Sequence, residues 1–325
     1  MASKKVLGID IGTNRMKLVL MEGSHLLSNV EIDLPDKLVQ DGRIVSIETV
    51  GELIKNALKE NNMNVNKASI VLNGDNVFVR TMTMPVMTQE QLLYNIPFEF
   101  KDYITEELKD YVYDFAMIST PEQIKEQEGD NKTMEILASA CPSHLIEEYK
   151  AMVRKAGLSL SRLAPYVSAY TGLIHQLDDK QEYCFVDIGY ESIRIHIFTG
   201  DAYSVTRKVE IGMKDMDALL ADHFNVDVHL AHTYFVNNYE DCQNSEVCTS
   251  AFENITVELT RALNFYRFNN PESQLNDIYL CGGGSMIENL VKIITQRVDL
   301  NVHDVSHLQA DANAFNIQAI GIALE

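Results

Sequence analysis

The sequence predicts an α/β protein of two lobes, each opened by a strand, an acidic tight turn and a return strand. Three observations carry that expectation. A chain of 325 residues is long for one hydrophobic core. The segment "IDIGTNRMKLVLMEG", Ile9 to Gly23, lies over "VDIGYESIRIHIFTG", Val186 to Gly200, without a gap, matching Asp10 with Asp187, Gly12 with Gly189, Lys17 with Arg194 and Gly23 with Gly200. Between these landmarks, strand-like and helix-like stretches alternate.

In chain order, Met16, Leu18 and Leu20 alternate after the first turn, as Ile193, Ile195 and Ile197 do after the second, which is the period of a sheet with one buried face. "SIETVGELIKNALKENN" puts Val50, Leu53, Ile54, Ala57 and Leu58 on one helical face, with Ser46 as N-cap. "ASIVLNGDNVFVRTMTMP" reads as a hairpin around Asn73-Gly74. "TQEQLLYNI" opens with a capping box, Thr88 and Gln91, and Pro97 is expected to kink or end that helix. "YVYDFAMI" and "MEILASA" read as strands flanking "STPEQIKEQEGDNKT", the stretch expected to be disordered. "PSHLIEEYKAMVRKAG" reads as a helix with Pro142 in its first turn and Gly157 as its stop. "IYLCGGGSMIENLVKII" runs from a strand through Gly282, Gly283 and Gly284 into an amphipathic helix.

Composition narrows the function classes. A hydrophobic fraction of 46% without an apolar run long enough for a bilayer predicts a soluble protein. "MASKKVLGIDIG" lacks the apolar core and cleavage site of a signal peptide, so the expected location is cytoplasmic. The net charge of −20 opposes nonspecific binding to nucleic acid or anionic lipid, so membrane contact is expected through a protein partner. Five cysteines with no C-x-x-C pair fit a reducing compartment. Cys242 and Cys248, with His223, His229 and His232 upstream, match no zinc-finger spacing and read as scattered core and surface residues.

The turns suggest their own chemistry. Glycine at Gly12 and Gly189 suits a turn that needs positive φ or close backbone approach, and successive turn N–H groups form an anion-binding nest. Asp10 and Asp187 are too acidic to touch phosphate and suit a hydrated Mg²⁺, held through water. One such turn is an ordinary hairpin. Two in register, followed by a glycine-rich strand-to-helix junction that favours an anion, read as a nucleotide site.

These motifs resemble the actin-like ATPase superfamily, with its duplicated, ribonuclease H-like fold. Within it they resemble the PilM family of type IV pilus assembly proteins, close to the cell-division protein FtsA. The carrying segments are "VLGIDIGTNRMKLVLME", "FVDIGYESIRIHIF", "IYLCGGGSMIENL", "ASACPSHLIEEYKAMVRKAGL", "RKVEIGMKDMDALLADHFNV" and "ENITVELTRALNFYRFNN". The resemblance implies ATP and Mg as cofactors. It implies phosphate contacts from Gly12, Thr13, Asn14 and Lys17 in the first lobe and from Asp187, Gly189 and Ser192 in the second, and Arg15 and Tyr190, which stand in the same two turns, are counted as nucleotide-binding candidates with them. Gly212 would lie near the nucleotide, Gly282, Gly283 and Gly284 near the adenosine, and Glu258 and Arg261 near the ribose or base. It further implies a first-lobe core of residues 1–84, 161–180 and 308–325 with an inserted subdomain at 85–160, and a second-lobe core of 181–215 and 270–307 with a subdomain at 216–269. The implied role is a cytoplasmic scaffold of type IV pilus, or related type II secretion, assembly. It would stand at the inner face of the membrane and dock the cytoplasmic N-terminal tail of a PilN-like inner-membrane protein.

Three departures bear on hydrolysis. Arg15 stands where the family has a small residue, and it either meets phosphate, fills part of its space, or forms a surface salt bridge. Tyr190 and Glu191 replace small or neutral residues, and the Glu191 carboxylate either repels a polyphosphate or points to solvent. Ala164 precedes Pro165 where the resemblance calls for a water-orienting glutamate, so the expectation is ATP binding with weak or absent hydrolysis. Two other functions are open. A sugar-kinase relative would need a catalytic aspartate beside a polar pocket, for which no candidate is apparent. An FtsA-like filament protein usually carries a flexible tail and an amphipathic membrane helix, whereas this chain stops at "AIGIALE", read as the last helix of the first lobe.

Overall fold

A computed structural model describes residues 5–40, 42–72, 77–127, 129, 131–177, 181–309 and 311–324. The chain divides into two compact units, Met1–Gly172 with Gln318–Glu325, and Leu173–Ile317.

The first unit begins with β1 (Lys5–Ile11), β2 (Arg15–Glu22) and β3 (His25–Asp33), followed by the two-residue strands β4 (Val39–Gln40) and β5 (Arg43–Ile44), then α1 (Ile47–Glu60) and β6 (Lys67–Leu72). Next come β7 (Phe78–Pro85), α2 (Gln89–Glu99), β8 (Tyr111–Met117), α3 (Pro121–Glu126), β9 (Thr133–Pro142), α4 (Ser143–Lys155), β10 (Ser159–Pro165) and α5 (Tyr166–Ile174). In the second unit lie β11 (Glu182–Ile188), β12 (Ile193–Thr199), β13 (Ala202–Val209), α6 (Met213–Phe224), α7 (Val228–Val236), α8 (Glu246–Asn269), β14 (Asp277–Cys281), α9 (Glu288–Arg297) and β15 (Asn301–Asp304). The chain then returns to the first unit with α10 (Ile317–Ala323).

The sequence repeat is a structural repeat. One five-stranded sheet runs β10-β6-β1-β2-β3 and the other β13-β12-β11-β14-β15, so each has a leading strand with an antiparallel neighbour on one side and a parallel one on the other. The register agrees as well: Asp10 faces Lys17 across β1 and β2, and Asp187 faces Arg194 across β11 and β12. The aligned glycines Gly23 and Gly200 both take positive φ, 61° and 58°, in the turn after the second strand of each copy.

Apolar burial explains the layers. In the first unit Leu7, Ile9 and Leu18 pack against Val50 and Ile54 of α1 and Met152 of α4. On β7, β8 and β9 a separate core forms, where Met82, Ile136 and Ala138 meet Leu92, Ile96 and Phe100. In the second unit Val186, Ile195 and Leu280 pack with Leu220, Leu259 and Ile294 of α6, α8 and α9. All five cysteines are free and buried. Among the described residues no helix is long and apolar enough to cross a membrane.

Local signals held where chemistry was local. Ser46 Oγ accepts from Thr49 N at α1, Thr88 and Gln91 form the capping box of α2, and Gly157 follows α4 at φ 81°. Three expectations need correction. The strands around Asn73-Gly74 form no hairpin, because β6 pairs with β1 and β10 while β7 pairs with β9; residues 73–76 themselves lie outside the described residues. Pro97 does not end α2, which runs on to Glu99; so near the C-terminus, proline forfeits a single helical hydrogen bond. Within the stretch expected to be disordered, Thr120 and Gln123 form a capping box with Pro121 at the first helical position, and α3 results; residues 128 and 130 lie outside the described residues.

Candidate functional site

In the first unit, Gly12 N donates to Arg15 O at 3.0 Å and closes the turn between β1 and β2. Gly12 does not take positive φ. It is needed for close approach, since a Cβ there would lie 3.0 Å from Arg15 O. Asp10 is 4% exposed, and its Oδ2 receives Lys17 Nζ at 3.0 Å. The lysine therefore offsets the charge of a buried carboxylate. Burial pushes the Tyr149 hydroxyl pKa well up, with the charges of Cys141 and Asp10 adding to the effect, so the phenol stays neutral there. Thr13 and Asn14 are half-buried, and Asn14 O accepts from Leu34 N. Of the readings open for Arg15, the structure shows the ion pair: Nε meets Asp33 Oδ1 at 2.9 Å and Nη1 meets Glu31 Oε2 at 3.2 Å, both acids on β3.

In the second unit, Gly189 N donates to Ser192 O at 3.1 Å, the same closure at the matched position. The start of α6 seats on this turn: Met213 N donates to Gly189 O at 3.1 Å and Lys214 N to Tyr190 O at 2.9 Å. Gly212 has no room for a side chain, because a Cβ would stand 2.2 Å from Tyr190 O, and its N–H is capped by Asp215 Oδ2 at 2.8 Å. The glycine run closes in from β14. Gly282 holds φ 81°, a Cβ on it would stand 2.4 Å from Asp187 Oδ1, and one on Gly284 would stand 2.2 Å from Ile188 Cγ2. Gly283 has more room, its virtual Cβ lying 3.6 Å from the Phe315 ring. Asp187, Gly189, Tyr190, Ser192, Gly212, Gly282 and Gly284 are thus brought into one neighbourhood.

One feature there suits an anion, while the amides of Gly189, Gly212, Met213 and Lys214 are already taken by acceptors within the protein. Ser192, 2% exposed, has a hydroxyl with no hydrogen-bond partner among the described residues. Glu191 is half-buried, between the two positions expected for it. Glu258 and Arg261 pair with each other on α8 at 2.5 Å, and among the described residues no hydrogen bond links them to the glycine turns. Ala164 sits in β10 opposite Val71, buried with Ala169 and Ile322, and its methyl side chain has no polar atom with which to orient water.

Sequence reasoning missed Asp217 and His232. Tyr190 Oη donates to Asp217 Oδ2 at 2.9 Å, and His232 Nδ1 lies 2.9 Å from the same oxygen. A signal existed: Asp217 stands on the apolar stripe of α6 with Met213, Met216, Leu220 and Ala221, a buried position that aspartate rarely takes without a partner.

Similarity to known proteins extends over the whole chain. The solved PilM-PilN type IV pilus biogenesis complex matches with a TM-score of 0.80 at 23% identity, covering 98% of this chain and 97% of that one. The ethanolamine utilization protein EutJ from Carboxydothermus hydrogenoformans matches with 0.63 at 14%, covering 100% and 90%. MreB 5 of Spiroplasma citri, solved bound to AMPPNP, matches with 0.52 at 14%, covering 98% and 94%. The fold is therefore the actin-like ATPase fold. The model of the family described as type IV pilus assembly protein PilM matches residues 8–318, from within β1 to within α10, and the chain belongs to that family.

Proposed function

We propose that the chain is a cytoplasmic, ATP-binding scaffold of type IV pilus assembly that docks the cytoplasmic tail of a PilN-like inner-membrane protein. Membership of the PilM family supports the pilus role, and the likeness to a PilM-PilN complex supports the partner. The charge agrees. A surface of net −20 suits the lysine- and arginine-rich segments that flank membrane spans on the cytoplasmic side.

The observation that carries the nucleotide reading is the approach of Gly212 and the glycine run to the second turn and its leading strand, together with a buried Ser192 hydroxyl that lacks a partner among the described residues. Such a cradle fits phosphate oxygens. In the first unit, Gly12, Thr13, Asn14 and Lys17 would hold phosphate and Asp10 suits a hydrated Mg²⁺ held through water, as Asp187 does in the second unit. Bound Mg-ATP would supply phosphate charge and a bridging cation as a binding signal. Gly282, Gly283 and Gly284 would lie near the adenosine, and Glu258 and Arg261 near the ribose or base, as the resemblance implies. Arg15, held by Glu31 and Asp33, is assigned to the first turn's shape. Binding without turnover follows from Ala164, which can neither orient nor deprotonate water. The finer subdivision, with an insert at 85–160 and a subdomain at 216–269, is proposed on the same footing, and the separate core of β7, β8, β9 and α2 supports the first part.

Titration of the purified chain with ATP, with and without Mg²⁺, followed by a turnover assay and a binding assay with a PilN-like tail peptide, tests this reading. Mg-dependent binding, negligible phosphate release and tail capture are expected. Absence of tail binding with and without Mg-ATP would sink the docking role, and turnover at an ordinary ATPase rate would overturn the reading of Ala164.

A further inference from the structure

The phosphate turn of the second unit is held at more than its backbone. Met213 N and Lys214 N grip the carbonyls of Gly189 and Tyr190. The Tyr190 side chain adds a third point, its hydroxyl donating to Asp217 Oδ2 at 2.9 Å. Asp217 is 0% exposed, and the same oxygen lies 2.9 Å from His232 Nδ1, on α7. The Tyr190 and His232 rings meet edge to face at 5.8 Å. Asp217 Oδ1 has no hydrogen-bond partner among the described residues.

That arrangement is a costly way to fill a core position. A buried carboxylate with an unsatisfied oxygen is destabilising relative to an apolar side chain of similar volume. Leucine or methionine would continue the stripe of Met213, Met216 and Leu220. Neither could accept donors from two separate elements. The carboxylate therefore does something that packing does not: it links a turn, the helix seated on the turn, and the next helix.

We propose that Asp217 is a positioning residue for the phosphate turn. Through Tyr190 and His232 it ties Gly189–Ser192 to α6 and α7, so that the turn amides are set in place before any ligand arrives, and a change in the turn is passed to α7. Preset donors bind an anion without the cost of ordering a loop at the moment of binding. Tyr190 thereby has a task in this chain at a turn position where the resemblance calls for a small residue. Its hydroxyl belongs to the tether and its backbone belongs to the cradle. The ligand in this proposal rests on the nucleotide reading above, whereas the tether does not.

Hydrogen exchange on the ligand-free full chain, paired with Mg-ATP titration, tests the proposal. Tyr190→Phe removes one hydroxyl and is expected to speed amide exchange at Gly189–Ser192 and Val228–Val236 by about tenfold, the scale of one lost hydrogen bond to a charged group, while α8 is unchanged. Mg-ATP affinity should fall by about the same factor. Asp217→Leu, which keeps the branching and loses the acceptor at the cost of a larger side chain, should reproduce the pattern, and the near-isosteric Asp217→Asn, which keeps an acceptor oxygen, should restore protection. Wild-type exchange at the turn in Tyr190→Phe overturns the tether, whether or not Asp217→Leu folds. If the wild-type chain binds no Mg-ATP, the nucleotide reading fails, and the exchange result alone judges the tether.

Discussion

Ser192 shows what a single buried atom can report. Its hydroxyl has no partner among the described residues, and a hydroxyl buried in that state costs about 1–3 kcal/mol. Ser192→Ala should therefore leave the ligand-free protein as stable or stabilise it by about 1 kcal/mol, while weakening Mg-ATP binding. Urea midpoints and a nucleotide titration check the two halves, and a loss of stability with unchanged affinity would assign the serine to the fold alone. His196 offers a second test. Burial, followed by the nearby Arg194 charge, lowers its pKa from 6.5 to about 3, and its Nδ1 lies 2.9 Å from Thr206 Oγ1. The folded state keeps this ring neutral while the unfolded chain protonates it below about pH 6.5. Its contribution is thus fully present above that pH and is lost as pH falls, by about 2–3 kcal/mol between pH 6.5 and 4.5. Urea unfolding across that range should show a flatter pH dependence for His196→Asn by this amount.

At the scale of elements, close backbone approach decides what sequence patterns leave open. β1 and α10 meet so tightly that a Cβ on Gly8 would lie 1.9 Å from Ala319 O, and one on Gly172 would lie 2.4 Å from Gly321 O. Neither neighbour is a side chain that can swing away. Gly8→Ala should cost about 3 kcal/mol, read as a lower urea midpoint, because either the helix or the strand must shift. A near-wild-type midpoint would mean that α10 seats with slack. Elements governed by nearby residues were legible, since the caps of α1 and α2 and the stop at Gly157 rest on short-range chemistry, whereas the single buried face expected of β2 and β12 was not observed, because Val19, Met21, His196 and Phe198 on the other face are buried as well. The Asn73-Gly74 hairpin failed for the opposite reason. A turn signal reports local bending, while the partners of β6 and β7 were settled by which sheets could bury Ile70 and Met82.

At the scale of the whole molecule, charge is the readable quantity. With a net charge of −20, association with a basic tail should be salt-sensitive. Raising salt from about 0.05 M to about 0.5 M is expected to weaken tail binding by about tenfold or more, mostly through a slower on-rate. Salt-independent affinity would point to an apolar interface instead. If the proposed nucleotide site binds, its affinity, which rests on backbone and short side-chain contacts, should change less.

By itself the sequence determined the duplication, because a gapless match of acid, glycine and cation at equal spacing forces equal turns and equal cross-strand partners, Asp10 with Lys17 and Asp187 with Arg194. It also determined most of the glycines that crowd the second turn. Only the tertiary structure decided what the polar side chains there do. Arg15 was free to meet phosphate or acid until β3 placed Glu31 and Asp33 beside it. Tyr190 read as a misfit until α6 and α7 delivered Asp217 and His232, residues 27 and 42 positions further along the chain. Periodicity marks which face of a helix is buried. It does not say which oxygen a buried hydroxyl will find, since that depends on elements far apart in sequence meeting at hydrogen-bond distance.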